Sequence, residues 1–146
     1  MKKQFFNAAA IAISFLLFSA CNNIERHVSD EILEVKLGEY VYQSFTLNEN
    51  RKKSFNLLVD FTHVSGPSAD ILLLEKDEFN LLEDGKFVET DYKDKLDVRE
   101  SFKEEIYLGK PYHDEQYYIV IKHHRSSFIA DNIRFKISYE VVEDED

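Results

Sequence analysis

Two stretches of this chain alternate between apolar and mostly polar side chains, and that alternation restricts the fold more than any other feature. In residues 54–62, Phe55, Leu57, Val59 and Phe61 interleave with Asn56, Leu58, Asp60 and Thr62. In residues 133–141, Ile133, Phe135, Ile137, Tyr139 and Val141 interleave with Arg134, Lys136, Ser138 and Glu140. Successive side chains of an extended strand point to opposite faces, so each stretch predicts a strand with an apolar face turned to a core. A helix would scatter the same residues around its circumference.

The rest of the chain follows the same rule. Residues 32–37 read as a first strand stopped by Gly38. Residues 39–47 read as a second, with Val41, Phe45 and Leu47 on one face and Tyr40, Tyr42 and Ser44 on the other. Asp70-Ile71-Leu72-Leu73-Leu74-Glu75 is a continuous apolar run, as expected of a strand covered on both faces. Val98, Phe102 and Ile106 share one parity, which predicts a single strand over 98–108. Tyr117-Tyr118-Ile119-Val120-Ile121-Lys122 is the central-strand candidate. Turn chemistry separates these runs at Asn48-Glu49-Asn50, Ser65-Gly66-Pro67-Ser68 and Gly109-Lys110-Pro111. The charged stretch 89–97 and residues 123–131 read as loops. Only residues 77–84 break the alternation. Phe79 and Leu82 lie three apart there, so one or two helical turns are expected, with Asp77 as N-cap and Gly85 as the stop. The expectation is an all-β protein: an antiparallel, jelly-roll-like β-sandwich of seven to eight strands with at most one short helix.

Charge removes one class of function. The chain carries a formal −10, to which Lys2 and Lys3 contribute +2, so residues 21–146 carry −12. A surface this acidic repels phosphate backbones, and no nucleic acid is expected as partner.

The N-terminus carries a second pattern. Met1-Lys2-Lys3 is a short positive start, residues 5–18 are almost wholly apolar, and Ser19-Ala20 precede Cys21, the sole cysteine. The apolar stretch falls short of the ~20 residues of a membrane-spanning helix. This layout resembles the signal peptide and lipobox of bacterial lipoproteins, with Phe18 where Leu is usual. The resemblance implies cleavage before Cys21 and acylation of its thiol, with the membrane held as a partner through that lipid. Two acyl chains suffice for stable anchoring, at about 0.8 kcal/mol per buried methylene. Asn22 after the cysteine favours, by analogy with enteric bacteria, the outer membrane of a cell envelope. The domain plan is then a signal peptide over 1–20, a lipidated Cys21 and polar tether over 21–31, a sandwich over 32–142 and an acidic tail over 143–146. With Cys21 acylated, no thiol remains for a disulfide.

Residues 54–142 also resemble the β-sandwich modules of the bacterial pre-peptidase C-terminal group and its GOLD and CUB-like relatives. The resemblance rests on SFNLLVDFT, SGPSADILLLEKDEF, the Tyr117–Ile121 run and NIRFKISYEVV, in that order. Here Glu115-Gln116 stand where a Gly-x-Tyr lead-in is usual, and Lys122-His123-His124 follow. Such modules are usually non-catalytic binding or spacing parts, and no family site residue transfers.

Little else suggests chemistry. His113-Asp114-Glu115 and His123-His124 are a metal-like set, but they flank the central strand. At ~3.3 Å per residue its ends stand roughly 20 Å or more apart, so one ion cannot join them. Glu83, Asp84, Glu89, Asp91 and Asp94 form the alternative, a weak calcium set without EF-hand spacing. Adjacent carboxylates are expected by chance in so acidic a chain. There is no Gly-x-Ser-x-Gly elbow and no phosphate-binding glycine loop. No enzyme, cofactor or metal is therefore expected. Exposed tyrosines among Tyr40, Tyr42, Tyr92, Tyr107, Tyr112, Tyr117 and Tyr118 could stack on a sugar or anchor a protein, although most are expected to be half-buried. The surface positions picked for contact with an unknown protein or glycan partner are Tyr112, His113, His123 and His124. Two further readings of the function stand beside a binding module: an acidic inhibitor of a cationic envelope enzyme or toxin, and a calcium-dependent sugar binder.

Overall fold

The computed structural model describes residues 26–86, 95–124 and 131–144. Nine strands and one helix follow in order: β1 (Arg26–His27), β2 (Leu33–Val35), β3 (Tyr40–Leu47), β4 (Phe55–Ser65), β5 (Ala69–Glu75), α1 (Lys76–Glu83), β6 (Lys95–Val98), β7 (Phe102–Gly109), β8 (Glu115–His123) and β9 (Ile133–Glu143). Their antiparallel pairs are nested: β2 with β9, β3 with β8, β4 with β7, β5 with β6. The chain is thus one long hairpin with α1 near its tip, rolled so that β4 also pairs β9 and β5 also pairs β8. Two sheets result, with orders β1/β2-β9-β4-β7 and β3-β8-β5-β6. This is the jelly-roll arrangement.

The strand count departs from seven or eight only in form. β1 and β2 lie end to end along one edge of β9, against Tyr139–Glu140 and Ile133–Phe135, and share one strand position. Consequently the polar stretch read as a tether is already in the sheet at Arg26. At the other end β9 runs through Glu143, which pairs with Phe55 and takes an ion pair from Lys53 at 2.7 Å. The acidic tail therefore starts one residue later than expected.

The apolar parity residues meet between the sheets. Phe45, Leu47, Phe55, Leu57, Phe61, Tyr117, Ile119, Ile121, Phe135, Ile137 and Val141 are buried in one core. Residues 98–108 are not one strand. Val98 ends β6 in the four-stranded sheet, and Phe102 opens β7 in the five-stranded sheet. Asp97, at φ +55°, and residues 99–101 carry the chain across. Val98, Phe102 and Ile106 keep one parity because both inner faces look into the same core. Periodicity alone cannot distinguish a straight strand from one that changes sheets. Lys95, read as part of a loop, bridges the two edges: its amine meets Glu104 at 2.8 Å and lies over the Phe102 ring.

The two inner strands of the four-stranded sheet, β5 and β8, are buried on both faces. Leu72, Leu74, Tyr118 and Val120 point away from the sandwich and are covered by Phe79, Leu82 and Tyr40. The Phe79 ring stacks on Tyr118 with centroids 3.9 Å apart and planes 3° from parallel. α1 starts two residues earlier than Asp77 predicts. Glu75 is the N-cap, and its N–H donates to the Glu78 carboxylate at 2.7 Å. At the other end the Gly85 N–H bonds Leu82 O and the Lys86 N–H bonds Leu81 O, with Gly85 at φ +71°. That pair of bonds is a Schellman cap, and it needs a residue that tolerates the left-handed region. Gly66, at φ +96°, is fixed for another reason. A Cβ there would run into the backbone carbonyl of Asn132.

Candidate functional site

The outer face of the five-stranded sheet is built from the polar parity positions of its three long strands. The register sets them in rows. Leu58 of β4 lies opposite Glu105 of β7 and Glu140 of β9, and Glu140 lies opposite Arg26 of β1. The next row holds Lys103, Asp60 and Ser138, and the row before holds Tyr107, Asn56 and Val142. Adjacent strands lie ~4.8 Å apart, so the Glu105 and Glu140 backbones stand roughly 10 Å from each other across Leu58. A groove of about 560 Å³ follows these rows, rimmed by Val28 beyond β1. No helix covers this face among the described residues.

The groove is acidic. Asp60, Glu105 and Glu140 line it against Arg26 and Lys103, while the Glu104 carboxylate at its border, of inward parity, is turned to Lys95. Lys103 bonds Asp60 at 2.8 Å, and that bond, with the carboxylate's charge, holds the amine above its ordinary pKa. Arg26 stands 3.9 Å from Glu140. Glu105 accepts the Asn56 side-chain amide at 2.7 Å, and the same amide reaches Asp144 at 3.2 Å. Tyr107, 60% exposed, donates its hydroxyl to Ser54 at 3.3 Å. Such a surface can take ammonium or guanidinium groups, or hydroxyls that donate to carboxylates.

A second polar cluster sits where β5 begins and β8 ends. Asp70 is buried, and its Oδ1 accepts the Asp97 N–H at 3.1 Å and faces His124 Nδ1 at 2.6 Å. The His124 N–H donates to Ser68 O, extending the β5–β8 ladder by one bond. The Asp97 carboxyl is held below the ordinary range, chiefly by a hydrogen bond from the buried Ser68 hydroxyl, with Arg99 and His124 adding to it. This cluster orients one imidazole on a buried carboxylate, the arrangement that can ready a histidine for proton transfer. Among the described residues no group of three or more His, Cys, Asp or Glu could hold a metal ion.

The residues picked from sequence fall in different places. Tyr112 and His113 are exposed before β8, and His124 lies past its other end, so the flanking histidines are not brought together. His123 requires a correction. It belongs to β8 rather than to a loop, is 6% exposed, and faces the sandwich interior, so it presents nothing to a partner. Both its ring nitrogens lack a hydrogen-bond partner among the described residues. His124 is half-buried and tied to Asp70. Of the calcium set, Glu83 and Asp84 end α1, while Glu89, Asp91 and Asp94 lie outside the described residues, as do Tyr92 and Cys21. Tyr117 and Tyr118 are buried; Tyr42, Tyr107 and Tyr112 are exposed. The groove residues Leu58, Glu105 and Glu140 were not singled out in the sequence. The signal was there in the polar parity of residues 54–62 and 133–141, but nothing in one chain states which strands become neighbours. No family model, curated protein or solved structure matches this chain.

Proposed function

We propose that this chain is a non-enzymatic binding module of the cell envelope, tethered by an acylated Cys21 and favouring the outer membrane. Its ligand surface is the groove on the open face of the five-stranded sheet, and its ligand is a lysine- or arginine-rich segment of a partner protein. The observation that carries this reading is the asymmetry of lining charge, three carboxylates (Asp60, Glu105 and Glu140) against two cations, on a sheet face that no helix covers among the described residues. The −12 of residues 21–146 adds long-range attraction for the same partner. Anchoring is supported by the lipobox-like sequence. If Cys21 is the first mature residue, only residues 22–25 separate it from β1, so the domain stands close to the bilayer.

An oligolysine peptide labelled with a fluorophore tests the groove. Titration should give saturable binding that weakens as salt rises, and Glu105→Gln with Glu140→Gln should weaken it about tenfold or more. Binding unchanged in that double variant would refute the groove as the site. Mass spectrometry of the mature N-terminus tests the tether: an acylated Cys21 supports it, and an intact Met1 or a bare thiol refutes it.

A further inference from the structure

The three carboxylates of the groove differ in how firmly they are already held. Asp60 takes a hydrogen bond from Lys103 at 2.8 Å. Glu105 takes one from the side-chain amide of the buried Asn56 at 2.7 Å. Glu140 has neither. Its one partner among the described residues is Arg26, whose Nε stands 3.9 Å from Oε2. That separation exceeds hydrogen-bond length, and the two side chains are 62% and 36% exposed. Strong arginine–carboxylate pairs are bidentate, and this one is not. An exposed ion pair of this kind contributes little, because water screens it and two long side chains must stay ordered. Arg26 is kept in place by its strand instead. Arg26 and His27 pair with Glu140 and Tyr139 in register, and the His27 ring stacks on Tyr139 with centroids 5.7 Å apart. Just beyond, the Ser29 N–H donates to Ser138 Oγ at 3.2 Å. The guanidinium can therefore swing away from Glu140 without β1 leaving the sheet.

We propose that Glu140 is the anchoring carboxylate of the groove and that Arg26 is its resident competitor, a cation of the chain's own that an incoming lysine or arginine displaces. This inference rests on the groove being the ligand surface and adds what that surface demands of its ligand. A single cation that displaces Arg26 exchanges one exposed ion pair for another, with little net attraction. A segment with two cations can hold Glu140 and Glu105 together, on either side of Leu58, where the backbones stand roughly 10 Å apart. Its second contact forms within one bound molecule, at high effective concentration. Arg26 thus sets a threshold: the groove selects segments with two or more closely spaced cations over isolated ones.

The test titrates fluorophore-labelled oligolysine into the full chain and its variants at about 0.1 M salt, where the Debye length is ~10 Å. Arg26→Ala should tighten binding about two- to fivefold, the size of an exposed ion pair. Arg26→Lys keeps a competing cation and should bind like the parent. Lys136→Ala is the control for general charge. Lys136 lies on the same face of β9, four residues from Glu140 and roughly 13 Å away along the strand, so its loss should change affinity by less than about twofold. In a Glu140→Gln background, Arg26→Ala should no longer tighten binding. Equal tightening in Arg26→Ala and Arg26→Lys would assign the gain to a loosened β1 and overturn the proposal. So would an Arg26→Ala effect that survives in Glu140→Gln, or one matched by Lys136→Ala. Should Arg26→Ala bind like the parent while Glu105→Gln with Glu140→Gln still weakens binding, the competitor falls and the groove stands. Should that double variant also bind like the parent, both fall.

Discussion

The two sheets of this sandwich share a core but turn very different outer faces outward. On the four-stranded sheet, Leu72, Leu74, Tyr118 and Val120 are apolar and lie under α1. On the five-stranded sheet, the equivalent positions are Asn56, Leu58, Asp60, Lys103, Glu105, Ser138 and Glu140, and no described element covers that face. The cause is visible in β5, where apolar residues at both parities leave a strand with two faces to bury. β4 and β9 need only one. A helix is therefore required on one side, while the other is free to meet a ligand.

The sharpest way to break that contrast is to damage each face in turn. Phe79→Ala removes the ring that seals the covered face, at 2% exposure and stacked on Tyr118. It should cost about 3–5 kcal/mol in urea unfolding. Leu58→Ala, on the half-buried floor of the open face, should cost about 1 kcal/mol. Equal losses at the two positions would mean that the faces are not specialised. Next in size is Asp70→Ala, which leaves the Asp97 N–H without its acceptor and frees the His124 ring. We expect a loss of about 2–3 kcal/mol by the same measurement. His123→Leu should act in the opposite direction. An imidazole whose two nitrogens find no partner among the described residues is replaced by an apolar side chain, and stability should rise by about 1 kcal/mol.

The smallest effect concerns pH. The Asp97 carboxyl is held below the ordinary carboxylate range, first by a hydrogen bond from the Ser68 hydroxyl. A depressed carboxyl binds its proton later in the folded state than in the unfolded one. Its contribution is therefore complete above the unfolded value and is lost as pH falls through the lower, folded value. Melting temperatures followed downward from about pH 5 should decline across that window, and Ser68→Ala should flatten the decline. An unchanged slope in Ser68→Ala would assign the acid sensitivity to other carboxylates.

The parts of this fold that could be read from sequence are those in which one strand's own pattern carries the information. Phe55, Leu57, Val59 and Phe61 were assignable to the core because parity is local, and residues 70–75 announced two buried faces for the same reason. What parity could not carry was partnership. Val98 and Phe102 look continuous because both point into one core from opposite sheets, so the crossing at residues 99–101 left no trace in the pattern. His123 read as surface because polar residues surround it, yet it takes the inward parity of Tyr117, Ile119 and Ile121 at the end of β8. The candidate site was the least legible part. Glu105 and Glu140 lie 35 positions apart and become neighbours across Leu58 only once β4 is seated between β7 and β9.

The central claim is that the open, acidic sheet face is the surface that binds. Amide chemical-shift mapping during titration with oligolysine tests it most directly. The account predicts shifts concentrated at Leu58, Asp60, Lys103, Glu105, Ser138 and Glu140, with α1 and the buried face beneath it unmoved. Shifts centred on α1, or spread evenly over every exposed carboxylate, would contradict it.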